Sequence, residues 1–485
     1  MNIEKPNKFF KVLDTNTIIL FLILIFAFGI RIYNLTFEGL WTDELISIYA
    51  SNPYISLQRM YNVLHFWDQT PPLYPILFWA WLKVFGFTEF NVRFFSVLGG
   101  MLSLVAVYFL IKELYNKSTA LIITLILSVT PYHIYFSREV RSYIWAFFIL
   151  TLLLLFFVKQ INNYTKKYNR WAFIALSSLF LYVSYFSFFI HIGLVVFIGL
   201  IFLLKLKPIQ LKNWIIDYII IGISYLPWLF PFIRILGFHN SDSVSKPHFT
   251  YLFDMFNIYS ASCVGGIFLI AVYIICLGYF LYVLFYNNNT FKRNMWLLFL
   301  VLYIVVFILM YLKSATGRNI LNGFMYSYVI VLFPVYLILM AGIVQVLPKY
   351  MKILFVMGFL LINSMHFQEW KKYSYHKKLS QPYRDIANYI AKTKESNVPI
   401  FCSGHYIQEF YFFKKMMSEQ IIDSQYFGQK IKDNKTFWVI DSYDLQSKDI
   451  LNYISQTKNI EILENKSFVG ATGNIHFQVY LVHII

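Results

Sequence analysis

The sequence predicts a polytopic α-helical membrane protein of about 11 transmembrane helices, followed by a small C-terminal α/β domain outside the cytoplasm. Hydrophobic residues make up 59% of the 485 residues, charged residues make up 13%, and the mean hydropathy is +0.58. Soluble domains usually carry about 25% charged residues. The apolar residues also come in runs close to the roughly 20 residues that cross a bilayer. Together these features exclude soluble, disordered and collagen-like chains.

Eleven apolar runs are candidate spans, and one neighbouring pair decides the orientation of everything after it. Only Ser187 to His191 separates the fifth run from the sixth. If these two runs form one bent segment, every later span is inverted. The runs are about 17–33, 92–111, 118–136, 143–158, 171–187, 188–204, 214–232, 257–286, 295–312, 326–346 and 351–367.

The distribution of positive charge predicts the topology. The net charge is +17, and most of the excess Lys and Arg lies in short loops between apolar runs. Such loops are typically cytoplasmic, so we expect a cytoplasmic N-terminus. We also expect an uncleaved first span and a multi-pass protein of the plasma or inner membrane. An odd number of spans then places residues 369–485 outside. Charge that serves topology does not predict a nucleic-acid partner.

Residues 369–485 have the pattern of a separate soluble domain, so the predicted division is 1–368 and 369–485. Alternating helices and strands predict a small α/β fold. No Gly-rich strand-to-helix turn indicates a nucleotide site, and the three cysteines (Cys263, Cys276 and Cys402) form no CxxC motif. The expected helices are 382–393, 406–417 and 445–456, and the expected strands are 398–402, 436–441, 460–468 and 475–484.

The first outer loop, about residues 34–91, contains adjacent carboxylates just past a span. They belong to the run Trp41-Thr42-Asp43-Glu44. Carboxylates at a membrane boundary are costly unless they face water, a cation or a substrate. A helix start explains them equally well, with Thr42 as the cap and both acids in the first turn. Both interpretations stay open on the residues alone.

The same loop continues with Trp67-Asp68-Gln69-Thr70-Pro71-Pro72-Leu73-Tyr74. Residues 73–85 after it are apolar but too short to cross a bilayer. They predict an interfacial or re-entrant helix, which the two prolines would start well.

The second outer loop, about residues 132–143, concentrates charge at membrane depth. It contains Arg138, Glu139 and Arg141, and each charge left in lipid costs about 2.5–3.5 kcal/mol. The group therefore either anchors helix ends as ion pairs or binds an anion, because guanidinium groups match phosphate oxygens. Carboxylates and arginines on one face suit a base and a phosphate clamp that act on a lipid-linked substrate.

In order along the chain, these residues resemble the GT-C superfamily of membrane glycosyltransferases, in the branch with protein O-mannosyltransferases and lipid A aminoarabinose transferases. The resemblance is closest over residues 27–160. Weaker similarity extends to Pro334 and to Tyr383-Arg384-Asp385. The motifs that carry it are Arg31, Trp41 to Glu44, Asp68 with Pro71-Pro72-Leu73-Tyr74, Phe85-Gly86, Glu89, Arg93, Gly99 and Ser137 to Tyr143.

The resemblance implies an inverting transfer of a sugar from a polyprenyl-phosphate donor to a hydroxyl group of a glycan, glycolipid or protein at the outer face of the bilayer. By position, Asp43 matches the proposed general base or acceptor-positioning acid, and Glu44 is its partner. Two groups of residues complete the expected site. The donor phosphate lies near Arg138, Glu139, Arg141 and Tyr143, while Arg31, Trp41, Asp68, Pro72, Tyr74 and Arg93 support the substrate site.

The sequence departs from that pattern at two places. Thr70 stands where many bacterial relatives have His before the double proline, and His65 lies five positions earlier. Ser327 stands where many relatives have the Arg of an Arg-Tyr pair, and we expect Arg318 to supply that guanidinium to the donor phosphate. A divalent metal ion bridging Asp43 and the phosphate stays open, since two carboxylates are not a metal signature.

Two other functions remain open beside the transferase. A transporter or flippase of polyprenyl-linked sugars would also handle such lipids, and an inactive relative could bind a partner through its outer domain. Transporters often carry internal repeats and charges at the bilayer midplane. Here the charged motifs cluster at the outer boundary and no repeat is evident, which favours the enzyme.

Overall fold

The computed structural model describes most of the helical region and parts of the C-terminal domain. Two compact units divide the chain. The first comprises Met1–Tyr33, Ser96–Arg138 and Ser142–His366, and the second comprises Asn34–Phe95, Glu139–Arg141 and Phe367–Ile485. The described residues are 14–65, 70–163, 166–206, 208–237, 259, 278, 290–315, 327–374, 382–393, 398–402, 411, 421–423, 435–442, 459–469 and 476–485.

The first unit is helical wherever it is described. A 3₁₀ turn, Tyr328–Leu332, leads directly into the helix Phe333–Val346. The division between the units falls within two helices, Glu89–Leu114 and Lys349–Ser374, so the two units share them. The helices are α1 (Thr15–Ile32), α5 (Glu89–Leu114), α6 (Lys117–Val129), α7 (Pro131–Phe136), α8 (Tyr143–Asn162), α9 (Lys167–Leu181), α10 (Ser187–Leu203), α11 (Leu211–Ser224), α12 (Leu226–Gly237), α13 (Thr290–Ala315), α14 (Phe333–Val346) and α15 (Lys349–Ser374).

Among the described residues, five helices are long and apolar enough to cross a membrane, or six if the bent pair α11 and α12 is one span. The chain is therefore a multi-pass membrane protein. The predicted run 118–136 is broken at Thr130, because Pro131 begins a new helix. The run 257–286 lies outside the described residues, apart from Tyr259 and Gly278.

The ambiguous region 171–204 forms two helices. Helix α9 ends at Leu181 and helix α10 begins at Ser187. The five residues between them turn the chain, and Ser184 and Ser187 donate backbone hydrogen bonds of 3.1 Å within this turn. The region is thus two helices and not one continuous helix.

Close helix contacts in the first unit depend on a residue without a side chain. A Cβ atom on Gly342 would lie 2.2 Å from Cδ1 of Trp296, so α13 and α14 can approach only over glycine. The indole Nε1 donates a 3.0 Å hydrogen bond to the carbonyl of Leu339 on α14. This bond satisfies a polar group that lipid would not solvate.

The second unit combines the first outer loop with the C-terminal region. Its helices are α2 (Thr42–Ala50), α3 (Leu57–Val63), α4 (Leu73–Phe85) and α16 (Tyr383–Ile390), and its strands are β1 (Ile400–Cys402), β2 (Ile421–Asp423), β3 (Thr436–Ser442), β4 (Ile460–Val469) and β5 (His476–Ile484). The sheet order is β2-β1-β3-β5-β4. Strand β1 runs parallel to β2 and β3, whereas β5 is antiparallel to β3 and β4.

The C-terminal domain is close to the sequence expectation where it is described. Helix α16 and strands β1, β3, β4 and β5 occupy the predicted places, and β2 is an additional short strand. Its core contains Phe401, Phe437, Val439 and Val482. The predicted helices 406–417 and 445–456 lie outside the described residues, apart from Tyr411.

The compact units differ from the division predicted at residue 368. In the structure, residues 34–95 belong to the same compact unit as the C-terminal region. The physical reason is a set of hydrogen bonds and an ion pair. Arg384 of α16 bonds to loop carbonyls and pairs with Glu89, while Tyr411 bonds to the backbone of Leu40.

Candidate functional site

Asp43 lies in the first turn of α2. Thr42 is the first residue of the helix, Trp41 is its N-cap, and the Asp43 side chain is half-buried. A carboxylate in a first turn is favoured by the helix dipole. The helix-start interpretation is therefore right in placing both acids in the first turn and wrong about the cap, because Thr42 lies one position inside the helix. It does not exclude chemistry, because it places a carboxylate at a defined helix end.

Glu44 is fully engaged in the interior of the second unit, where it is only 2% exposed. Its Oε1 accepts hydrogen bonds from Arg93 Nε (3.3 Å) and from the backbone N–H of Val140 (3.1 Å). Its Oε2 accepts from Arg93 Nη2 (2.9 Å) and from the backbone N–H of Trp41 (3.3 Å). Four donors saturate a carboxylate, so this geometry favours a positioning role for Glu44 over direct proton transfer.

Arg93, at the start of α5, uses every donor of its guanidinium. Besides the two bonds to Glu44, Nη1 donates to the carbonyls of Leu35 (3.0 Å) and Glu38 (2.8 Å), and Nη2 donates to the carbonyl of Gly39 (3.1 Å). A guanidinium has five N–H groups, and all five are occupied. Arg93 therefore fixes the chain that leads into α2.

Residues 139–141 of the second outer loop belong to the same unit as Asp43. Arg141 Nη1 donates to Ser47 Oγ (3.0 Å) and to the main-chain carbonyl of Asp43 (3.4 Å). Glu139 is buried, and Asp43 and Glu44 are both near enough to disfavour its charge. The structure thus brings Asp43, Glu44, Arg93, Glu139 and Arg141 together.

Glu139 has an environment that opposes ionisation. Burial raises the pKa of its carboxyl well above the ordinary value, and the negative charge of Glu44 raises it further. Arg141 acts in the opposite direction but does not reverse the shift. A neutral carboxyl beside Asp43 would leave Asp43 as the carboxylate that accepts a proton.

Arg31 is completely buried in the first unit, at the end of α1. Its Nη1 donates to the carbonyls of Ala27 (3.0 Å) and Ser128 (3.1 Å), its Nε donates to Ser137 Oγ (3.2 Å), and its Nη2 lies 2.7 Å from His133 Nδ1. These contacts hold the end of α7, from which the motif beginning at Ser137 departs. Among these hydrogen bonds, Arg31 thus contacts the motif directly only at its first residue, Ser137.

The contact with Arg31 determines the tautomer of His133. A guanidinium only donates, so Nδ1 accepts and the ring is neutral with its proton on Nε2. His133 Nε2 lies 2.7 Å from Ser103 Oγ and donates this proton to it. The serine hydroxyl in turn donates to the carbonyl of Gly100. A Cβ atom on Gly100 would lie 2.3 Å from Ser137 Oγ, so only glycine permits this approach.

Two other predicted donor-site residues belong to the first unit. Arg138 and Tyr143 belong to the first unit, where Tyr143 packs edge-on against Phe136 and Tyr328. Asp68 and Arg318 lie outside the described residues.

Three predicted supporting residues surround the ends of α2 and α4. Trp41 is the half-buried N-cap of α2, and Pro72 is the buried N-cap of α4. Tyr74 is buried and stacks on Phe78 at 5.6 Å. Trp41 and Pro72 thus mark the starts of two helices, and Tyr74 packs in the interior of the second unit.

Sequence reasoning missed residues of the C-terminal region that contact the approach to Asp43. Tyr383 Oη lies 3.1 Å from Thr42 Oγ1, and Tyr411 Oη accepts the N–H of Leu40 at 2.5 Å. Tyr383 and Arg384 appear in the sequence analysis only within a weak motif, and Tyr411 does not appear there. Contacts over more than 300 residues of chain leave no local signal.

The described residues contain no group of three or more His, Cys, Asp or Glu side chains that could hold a metal ion. Glu44 has no lone pair left for a cation, because four donors occupy its oxygens. A divalent ion at Asp43 therefore stays an untested expectation.

Comparisons with known proteins agree with the predicted class. A family model described as dolichyl-phosphate-mannose-protein mannosyltransferase matches residues 69–230. No curated protein matches the chain in a sequence search.

Solved structures share the fold over almost the whole chain. ArnT from Cupriavidus metallidurans bound to undecaprenyl phosphate has a TM-score of 0.62 at 11% identity, covering 95% of this chain and 97% of that one. The archaeal oligosaccharyltransferase AglB from Archaeoglobus fulgidus, in complex with an inhibitory peptide and a dolichol-phosphate, has a TM-score of 0.53 at 11% identity, covering 95% and 74%.

The fold is therefore that of GT-C membrane glycosyltransferases, with a small sheet-containing C-terminal domain. The family model over residues 69–230 and the shared fold agree with the resemblance stated from the sequence.

Proposed function

We propose that the protein transfers a sugar from a polyprenyl-phosphate donor to a hydroxyl acceptor on the outer face of the membrane, with inversion at the anomeric carbon. The acceptor oxygen attacks that carbon, and the bond to the phosphate oxygen breaks. The phosphate leaves with the electron pair, and Asp43 takes the hydroxyl proton. A positioned base of this kind contributes about 10²–10⁴-fold to the rate.

The observation that carries the proposal is the convergence of the two outer motifs within one unit. A half-buried carboxylate, Asp43, stands on a helix end whose main-chain carbonyl is bound by Arg141. A base for the acceptor and a cation for the leaving phosphate thus come from sequence positions 98 residues apart. Polyprenyl phosphate is already a good leaving group, so positioning and charge stabilisation are the main requirements.

We assign Glu44 and Arg93 to positioning. Their buried ion pair fixes the backbone that leads to Asp43, through the N–H of Trp41 and the carbonyls of residues 35, 38 and 39. Glu139, with its raised pKa, is a neutral hydrogen-bonding group in this scheme.

A lipid-phosphate donor is supported by the similar structures, which hold undecaprenyl phosphate in one case and dolichol-phosphate with an inhibitory peptide in the other. A polyprenyl chain would be held in the bilayer, so the transfer takes place at its boundary. The positive-charge pattern supports a cytoplasmic N-terminus and an outer C-terminal domain in a plasma or inner membrane. The acceptor is a surface glycan, a glycolipid or a protein.

The direct test supplies radiolabelled polyprenyl-phosphate sugars to membranes that contain the protein and native acceptors. Asp43→Asn removes the base with little change in shape. Asp14→Asn is the matched control, because Asp14 caps α1 at the surface and asparagine caps equally well. We expect label in a product with the native protein and the control, and at least a 100-fold lower rate with Asp43→Asn.

The outcomes separate the competing functions. Transfer that survives Asp43→Asn would overturn the assignment of the base. Movement of labelled lipid across the bilayer without transfer from any donor would overturn the enzyme in favour of a flippase. An inactive relative would show neither process.

A further inference from the structure

The chain leading into α2 is bound along its length by groups from elsewhere in the second unit. Residues 35–39 form neither a helix nor a strand, so their carbonyls need other partners. All five carbonyls accept hydrogen bonds from two guanidinium groups. Arg93 binds those of Leu35, Glu38 and Gly39, and Arg384 binds those of Thr36, Phe37 and Glu38.

Arg384 comes from the C-terminal region, in the first turn of α16. Its Nη1 donates to the carbonyl of Phe37 and its Nη2 to that of Thr36, both at 3.1 Å. Its Nε and Nη2 also bond to the two oxygens of Glu89, at 3.1 and 2.9 Å. The ion pair with Glu89 orients the guanidinium, and the planar fork then reaches several carbonyls at once.

Two tyrosines of the C-terminal region bind Leu40 and Thr42, which follow these carbonyls in the chain. Tyr411 Oη accepts the N–H of Leu40, and Tyr383 Oη lies 3.1 Å from Thr42 Oγ1, one residue before Asp43. Burial raises the pKa of the Tyr411 hydroxyl, so it stays protonated while it accepts this bond. Residues 35–40 and Thr42 thus each make a hydrogen bond with Arg93 or with the C-terminal region.

We infer that Tyr383, Arg384 and Tyr411 are positioning residues for Asp43, so that the C-terminal domain sets the conformation of the proposed catalytic loop. The inference rests on the proposed function for its effect on rate, but not for its effect on the loop. Arg93 and Glu44 hold the loop through one set of hydrogen bonds, and the C-terminal region holds it through another. The domain would then be required for turnover without touching the reacting atoms.

The test uses the full-length protein in detergent or nanodiscs and compares Arg384→Met with Tyr389→Phe. Tyr389 lies on the same helix, but its hydroxyl donates to Glu464 of β4 and does not contact the loop. Hydrogen exchange of peptides covering residues 34–45 reports loop order without any substrate. We expect exchange there to be at least about tenfold faster in Arg384→Met, because several charge-assisted bonds are lost, and unchanged in Tyr389→Phe.

Turnover provides the second readout. We expect Arg384→Met to lower kcat by at least about tenfold, with the KM for the lipid donor nearly unchanged, since Arg384 acts on the loop and not on the donor. Arg384→Lys should fall between native and Arg384→Met, because an ammonium retains the pair with Glu89 but cannot span three carbonyls. Tyr383→Phe should lower kcat more mildly, through the loss of one contact.

Each result decides a separate question. Unchanged exchange over residues 34–45 in Arg384→Met would overturn the positioning role outright. Faster exchange with native kcat would also overturn it, because loop order would then be irrelevant to turnover. If the native protein transfers no sugar but exchange is faster in Arg384→Met, the proposed function and the role of Arg384 in turnover would both be overturned. Only the conclusion that Arg384 orders residues 34–45 would then stand.

Discussion

The substitution Arg93→Met removes the buried guanidinium that holds the proposed catalytic loop. Methionine fills part of the same volume but leaves the Glu44 carboxylate in the interior without the cation that pairs with it at 2.9 Å. Both side chains are less than 10% exposed, so water cannot replace the lost partner. The carbonyls of Leu35 and Gly39 lose their guanidinium donor as well.

The expected loss of stability follows from these contacts. Removing one partner of a buried ion pair costs about 3–5 kcal/mol. The loss of hydrogen bonds from a charged donor adds about 1.5–3 kcal/mol for each bond that is not remade by water. Since the loop can relax towards solvent, we expect a total of about 4–6 kcal/mol in the second unit.

The measurement is equilibrium unfolding in mixed micelles, followed by hydrogen exchange to locate the change. Arg59→Met is the matched control, because Arg59 lies in the same outer loop with an exposed side chain. We expect the control to lie within about 0.5 kcal/mol of the native protein. In the double variant Arg93→Met with Glu44→Met, which removes both charges, we expect recovery of part of the loss, since no unpaired charge remains.

A loss below about 1 kcal/mol in Arg93→Met would refute this reasoning, since that is the size expected of an exposed pair. Equal losses in the single and double variants would also contradict it. They would show that the packing of Arg93, and not its charge, stabilises the loop.

Three further predictions concern other groups. Glu139→Gln should be at least as stable as the native protein at neutral pH. The pKa of Glu139 is raised in the folded protein, so as pH rises above about 4.3 the carboxyl loses its proton in the unfolded chain before it does so in the folded one. The free energy of unfolding of the native protein therefore falls with rising pH. Unfolding curves across that range should show this fall in the native protein and not in Glu139→Gln. Gly342→Ala should destabilise the helical unit by about 1–3 kcal/mol through its clash with Trp296, measurable by thermal unfolding. Asp217→Ala should cost about 3 kcal/mol in the same assay, because it removes the buried partner of Arg170 at 2.6 Å.

The sequence predicted elements whose ends are marked by local chemistry. Helix α4 has the predicted bounds, Leu73–Phe85, because two prolines precede it and Gly86 follows at a φ of 86°, where a side chain would be strained. The alternation of helix and strand likewise located β3 and β5 to within one or two residues.

The sequence could not predict contacts between distant residues. Glu44 and Arg93 are 49 positions apart, and nothing local distinguishes a saturated carboxylate from a reactive one. The association of the first outer loop with the C-terminal region depends on Arg384 and Tyr411, whose partners lie more than 300 residues away. Strand β2 was missed because three residues are too few to show a period.

The measurement that tests the central claim most directly is the stoichiometry of one reaction on purified protein. The account predicts that polyprenyl phosphate and glycosylated acceptor form in equal amounts, that Asp43→Asn abolishes both, and that Asp14→Asn preserves both. Donor that crosses the bilayer intact, with neither product formed, would contradict the account and identify a transporter.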